Sequence, residues 1–355
     1  MNRILVVADW HGAEIYAEVF AKSFEELGNE VRRFSWKEYF KHYQYSERYK
    51  TDNNRLKSIY YRFQNKFIFG PDANKINYDL IDEANSFKPD LVFIYRGTHI
   101  YPSTINKIKN NTKCKVFGYN NDDPFSPRYP KYFWRHFLNS VPLYDHIFCY
   151  REHNIREFLQ LGNPNASLLR SYYTSERNFK IDNIKKIYDI VFIGHFEDDG
   201  RDSCMLELLQ SDYSVKLFGT GWEKSSLYHD IVRLNGEISP VYNDYNLVLN
   251  QSKIALVFLS KLNRDTYTRR CFEIPATGTM MISEFTDDLT TLYEPGVEAD
   301  FFQSKSELLG KIENYLSRHE LISEIGEAGR MRLISDGHEI IDRAKQVIRE
   351  YHKGS

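Results

Sequence analysis

Two consecutive arginines and a glutamate one helical turn later, Arg269, Arg270 and Glu273, are the residues of this chain whose types and spacing most clearly suit a chemical task. A guanidinium is a planar fork that hydrogen-bonds two oxygens of a phosphate at once. A carboxylate accepts from two neighbouring hydroxyls, as a ribose presents them. Together the three suit a nucleoside diphosphate, and Thr268 adds a hydroxyl beside them. Glu273 falls in a short helical stretch that Gly278 ends, ahead of the apolar strand Met280-Met-Ile. A plainer reading stays open: Arg269 and Glu273 are i,i+4 neighbours, which is the spacing of a local salt bridge.

Other candidates follow strands. Gly194 comes directly after the apolar run Ile190 to Ile193, where a glycine lets a ligand approach the backbone; His195 and Arg201 stand close by. Gly219-Thr-Gly-Trp222 follows the run ending at Phe218, and Trp222 is either a base-stacking surface or a core anchor. In the first half Asp9-Trp-His11-Gly follows the first strand; Asp9 and His11 are candidate acid–base groups, with Asp9 as a helix cap the alternative. Arg96-Gly-Thr-His99 has the same ambiguity. Asp122 and Asp123 are adjacent rather than spaced as Asp-x-Asp, so they read as cleft lining or a helix cap, and no metal site is expected.

Strand–helix alternation must position these residues. Ile4 to Ala8, Val31 to Phe34, Leu91 to Tyr95, Val116 to Tyr119 and Ile147 to Tyr150 read as strands, with Ser167 to Arg170 a further candidate. Helical periods fall at Ala13 to Leu27, Tyr78 to Phe87 and Pro102 to Lys109. Residues 36–75 show no clear period and read as a helical insertion or loop. A polar stretch at 174–186 reads as a linker, after which the pattern restarts. Its strands are Ile190 to Ile193, Val215 to Phe218, Ile254 to Leu259, Met280 to Ser283 and Ala299 to Phe302. Helices are expected at Ser203 to Gln210, Tyr242 to Gln251, Lys305 to Arg318, Glu320 to Ile334 and Glu339 to Tyr351. Two consecutive doubly wound, Rossmann-like α/β domains facing a cleft account for this order.

Composition narrows the partners. With 27% charged residues and a net charge of −2, the chain has no basic excess for nucleic acid. No stretch approaches the ~20 apolar residues of a membrane span, which leaves only peripheral membrane contact. Four scattered cysteines without a C-x-x-C pair read as reduced, and the N-terminal apolar run is too short for a signal peptide, so a cytoplasmic setting is expected.

The motifs Phe192-Ile-Gly, Leu217-Phe-Gly-Thr-Gly-Trp, Asn235-Gly-Glu-Ile, Tyr245, Ile254-Ala-Leu-Val-Phe-Leu, Arg264-Asp, Thr268-Arg-Arg, Phe272-Glu-Ile-Pro-Ala-Thr-Gly and Glu294-Pro-Gly occur in order. This set resembles the CgeB-like spore-maturation glycosyltransferases. The similarity is best over residues 190–350; in the first half it rests mainly on Asn121-Asp-Asp-Pro. The resemblance implies the GT-B architecture, with residues 1–175 on the acceptor side, 187–335 binding the nucleotide sugar as a group 1-type C-terminal domain, and 336–355 a helix returning to the first domain. It implies transfer from a nucleoside-diphosphate sugar to a glycan, polysaccharide or protein of the envelope or spore surface, with no cofactor and no metal. Gly236 would present backbone to the base, Glu273 would hold the ribose, and Arg270 would stabilise the leaving diphosphate. Many relatives of this architecture carry a second glutamate eight positions later; here that position is Met281, and Glu284 follows three residues on. Two alternatives remain: a non-catalytic envelope or spore-layer protein keeping the fold, and an NAD-dependent oxidoreductase, for which the G-x-G-x-x-G turn is missing after both first strands.

Overall fold

The structure, a computed structural model, describes residues 1–10, 15–39 and 55–353. His11, Gly12 and the 40–54 part of the segment expected as an insertion lie outside the described residues. The chain divides into two compact units: Met1–Arg170 joined by the C-terminal segment from Ile340, and Ser171–Glu339.

The first unit runs β1 (Arg3–Ala8), α1 (Ala17–Glu26), β2 (Glu30–Ser35), α2 (Arg55–Phe67), α3 (Pro71–Phe87), β3 (Leu91–Tyr95), α4 (Pro102–Thr112), β4 (Lys115–Asn120), α5 (Arg135–Ser140), β5 (His146–Cys149), α6 (Glu152–Gln160) and β6 (Ala166–Leu168). Its six strands form one sheet in the order β2-β1-β3-β4-β5-β6, parallel throughout. β1 and β3 are continuous apolar runs because helices cover both faces of a parallel sheet. Pro71 and Pro102 open α3 and α4, where the missing N–H costs nothing.

The second unit runs β7 (Tyr188–Ile193), α7 (Arg201–Leu209), β8 (Val215–Phe218), α8 (Tyr228–Asn235), α9 (Tyr245–Asn250), β9 (Ser252–Val257), α10 (Arg270–Ala276), β10 (Met280–Glu284), α11 (Asp287–Leu292), β11 (Asp300–Phe302), α12 (Lys305–Leu316) and α13 (His319–Ser335). Its parallel sheet has the order β11-β10-β9-β7-β8. The final helix, α14 (Ile340–Lys353), belongs to the first unit and packs on α1, burying Ile340, Ala344 and Val347 along one stripe. The Gln346 amide donates to Leu168 O at 2.7 Å and the Lys115 ammonium to Tyr351 O at 2.9 Å.

The polar stretch at 174–186, expected as a linker, packs within the second unit. It has no hydrophobic period because side chains of α9 hold its backbone instead: Phe179 N donates to Asn246 Oδ1 at 3.0 Å, and Ile181 N to Asn250 Oδ1 at 2.7 Å. Among the described residues no helix is long and apolar enough to cross a membrane.

Strand order tells where ligands bind. The first sheet leaves β1 for β2 and then jumps to β3 on the other side; the second leaves β7 for β8 and jumps to β9. The carboxyl ends of β1 and β3, and of β7 and β9, are therefore the switch points at which open α/β sheets hold ligands.

Candidate functional site

α10 begins at Arg270, on the side of the second sheet where β9 ends, and its chain returns as β10. Residues Cys271 to Ala276 are all buried, so this short helix is fixed by its surroundings rather than by propensity. Pro275 stands near its end, Gly278 N donates to Pro275 O at 2.8 Å, and Gly278 takes φ +72°. Gly278 thus serves the reversal into β10. Its carbonyl also lies where α13 crosses: a Cβ on Gly326 would stand 2.3 Å from Gly278 O.

Glu273 is 7% exposed, and both its oxygens are engaged. Tyr245, the first residue of α9, donates its hydroxyl to Oε2 at 3.0 Å, and Arg269 Nε lies 2.8 Å from Oε1. The local salt bridge is therefore real. Burial, and next the Glu273 charge, push the Tyr245 phenol well above its ordinary range, so it stays protonated and remains a donor. Arg270 is the complementary case: its Nε is buried and has no hydrogen-bond partner. A buried guanidinium N–H without an acceptor is costly unless an anion supplies one. The Thr268 carbonyl accepts from Cys271 N at 3.0 Å, and the Thr268 hydroxyl lies 4.0 Å from Cys271 Sγ.

The glycines after β7 and β8 are held together by contact between backbones. Gly219 has φ +149°, and a Cβ there would stand 1.8 Å from Gly194 O. Trp222, 1% exposed, donates its indole N–H to that same carbonyl at 2.9 Å, which makes it the core anchor rather than a base-stacking surface. Beyond α8, Gly236 has φ +78° at the start of a segment that follows the outer edge of β8. There Leu217 N donates to Asn235 Oδ1 at 2.7 Å and Gly219 N to Ser239 O at 3.1 Å.

Arg201 and Glu284 are committed elsewhere. Arg201, 2% exposed, forks onto Asp199 with bonds of 2.8 and 2.6 Å and donates to the carbonyls of His195 and Leu259. It ties the ends of β7 and β9 together and is no phosphate ligand in waiting. Glu284 accepts from Leu259 N at 2.6 Å and from the Lys261 ammonium at 2.9 Å. Met281, at the position of the absent second glutamate, is buried core. His195 is exposed and pairs with Glu197 at 3.0 Å. Burial works to raise the Glu197 carboxyl. Hydrogen bonds from His195, Ser260 and Lys261 N, with the Arg201 charge, outweigh it and hold the group at about 2.

In the first unit Asp9 directly follows β1. It faces Arg96: Asp9 Oδ2 is 3.9 Å from one guanidinium nitrogen, while Asp122 Oδ2 is 2.7 Å from another. Trp10 and Arg96 both adopt left-handed backbone, at φ +52° and +67°, on the carboxyl ends of β1 and β3. Strain of this kind collects where a loop must hold a set shape.

His99 is fully buried against Trp36, and its Nδ1 meets the Thr98 hydroxyl at 2.8 Å. Burial, reinforced by His136 and Arg96, pulls the imidazole down from 6.5 to about 3, so it is a neutral core group and no acid–base catalyst. The folded pKa lies below the unfolded one. Its stabilisation is complete above pH 6.5 and is lost as pH falls toward 3. The melting temperature should therefore drop already between pH 6.5 and 4.5, above the window in which Glu197 adds its own loss. His99→Phe should flatten that upper part of a calorimetric pH series, and an unchanged slope would contradict it.

The chain's two consecutive doubly wound parallel units are the GT-B architecture. The Anabaena protein HepE, solved in complex with UDP and glucose, matches with a TM-score of 0.68 at 12% identity over 99% of this chain and 100% of that one. Sucrose-phosphate synthase from Thermosynechococcus elongatus matches with a TM-score of 0.69 at 11% identity over the whole of both chains. The α,α-trehalose 6-phosphate synthase from Burkholderia multivorans matches with a TM-score of 0.65 at 12% identity, over 99% of each. Residues 201–349 match the family model described as glycosyl transferase-like. No curated protein sequence matches the chain.

Proposed function

We propose that this protein is a glycosyltransferase that takes its sugar from a nucleoside diphosphate. The observation that carries the reading is Arg270, a buried guanidinium Nε without an acceptor, next to Glu273, a carboxylate fixed by Tyr245 and Arg269. Arg270 and Arg269 receive the diphosphate as its bond to the sugar breaks, and Glu273 accepts from the ribose. The glycosyl transferase-like match spans this segment, and HepE was solved with UDP and with UDP-glucose, which makes uridine nucleotides the first donors to try.

Guanidinium groups supply the charge that a metal would otherwise bring, so donor cleavage runs without added Mg²⁺ or Mn²⁺. The acceptor, a glycan or protein of the cell envelope, is taken by the first unit. If the anomeric centre inverts, Asp9 or His11 is the base. The ordered motifs support a CgeB-like transferase, and four buried thiols suit a reducing cytoplasm.

The test is a thermal-shift screen of the full chain against nucleoside diphosphates, followed by a turnover assay with the matching sugar nucleotides. A ligand at 100 times its Kd stabilises the folded state by about 2.7 kcal/mol, a shift of several degrees. Binding with release of diphosphate is expected. Binding without any sugar transfer or hydrolysis would favour a protein that has kept the fold and lost the activity; no shift with any nucleotide would end the proposal.

A further inference from the structure

The sequence set Asp123 aside as a metal ligand because its acidic neighbour is adjacent in the chain. In the fold its partners come from another element. β4 and β5 are paired neighbours, so the turn after β4, which carries Asp123, meets the first turns of α6, which follows β5. His153 and Glu157 lie four apart on α6 and share a face. One ligating atom each from Asp123, His153 and Glu157 falls within 4.8 Å of the others.

Two features separate this cluster from an ordinary ion-pair group. The first is the pairing of His153. Its Nε2 is buried and makes no hydrogen bond, although Asp123 Oδ2 is only 3.5 Å away. That is beyond the roughly 2.7–3.2 Å of an N–H···O bond. It is close to the separation of two ligand atoms around zinc, since bonds of about 2.0–2.1 Å at a tetrahedral angle set them roughly 3.4 Å apart.

The second is Asn154, a buried side chain whose amide nitrogen donates to Asp123 Oδ1 at 2.9 Å and to Glu157 Oε2 at 2.7 Å. Phe125 N also donates to Asp123 Oδ1, at 3.0 Å. One oxygen of each carboxylate is thus oriented by an outer donor, as the carboxylates of metal sites are. The other Asp123 oxygen faces the imidazole. Asp123 itself is fully buried.

We propose that Asp123, His153 and Glu157 bind a zinc-class divalent cation. One imidazole and two carboxylates match the charge and ligand preference of such an ion, and three protein ligands leave a fourth position for water. The site joins the turn after β4 to α6, both within the first unit.

The experiment uses the full-length protein, stripped with chelator, desalted and titrated with zinc chloride; bound zinc is measured by elemental analysis and stability by thermal melting. About one zinc per chain should be retained after desalting, with a rise in melting temperature. His153→Ala and Glu157→Gln should each weaken zinc binding at least tenfold, while Glu152→Gln on the same helix should not. A far-UV spectrum checks that His153→Ala folds; should it fail to fold, Glu157→Gln decides. Zinc that does not bind stoichiometrically, or that binds equally to the variants and wild type, overturns the proposal and leaves a His153–Asp123 ion pair only.

Discussion

Arg270→Ala is expected to weaken nucleoside-diphosphate binding by roughly 10- to 150-fold, the equivalent of about 1.5–3 kcal/mol for a charge-assisted hydrogen bond. Its Nε makes no hydrogen bond in the fold, so truncation leaves no partner of that atom stranded, and the melting temperature without ligand should hold. Arg269→Ala is a less clean experiment, because it also removes the 2.8 Å partner of Glu273.

Tyr245→Phe isolates the carboxylate's contribution. It deletes one hydroxyl, frees Glu273 to turn, and should lower affinity several-fold for ribonucleotides but hardly at all for a 2′,3′-dideoxy analogue. Calorimetry with the best nucleotide from the screen reads all three variants. If Arg270→Ala binds that nucleotide as tightly as wild type, the assignment of α10 to the diphosphate is wrong, whatever the protein's reaction.

The strands of both sheets are legible in the sequence because strands covered on both faces are continuous apolar runs, and Ile4–Ala8, Leu91–Tyr95 and Ile190–Ile193 leave little choice. Short helices are less legible. α6 buries only Asn154 and Phe158, and α8 only Ile231 and Asn235, so neither has an apolar stripe long enough to read.

The candidate site divides in the same way. Arg269, Arg270 and Glu273 are local in sequence, and their spacing states their relation. Tyr245 reaches Glu273 across 28 positions, and Asn154 reaches Asp123 across 31; only the sheet topology brings those pairs together. The roles of Arg201 and Glu284 were hidden for the same reason, since each bonds backbone at the end of β9.

Gly219 gives the largest structural effect and separates two explanations of the glycines after β7 and β8. If they exist to admit a ligand, an added methyl group should harm binding more than folding. The geometry says the reverse. A Cβ at Gly219 would stand 1.8 Å from Gly194 O, and φ +149° belongs to backbone that L-residues rarely adopt. Relief requires moving the β7 turn, which Trp222 pins through its 2.9 Å bond to the same carbonyl. Backbone strain of about 1–3 kcal/mol and overpacking of about 1–3 kcal/mol together predict a loss near 3 kcal/mol for Gly219→Ala. For a unit of this size that lowers the melting temperature by about 6–12 °C. Gly310 is the control: it sits within α12 with nothing within 4 Å of an added Cβ, so Gly310→Ala should gain about 0.5–1 kcal/mol. Scanning calorimetry of the two variants without nucleotide makes the comparison. A Gly219→Ala protein as stable as wild type, with nucleotide binding impaired, would return that loop to the ligand.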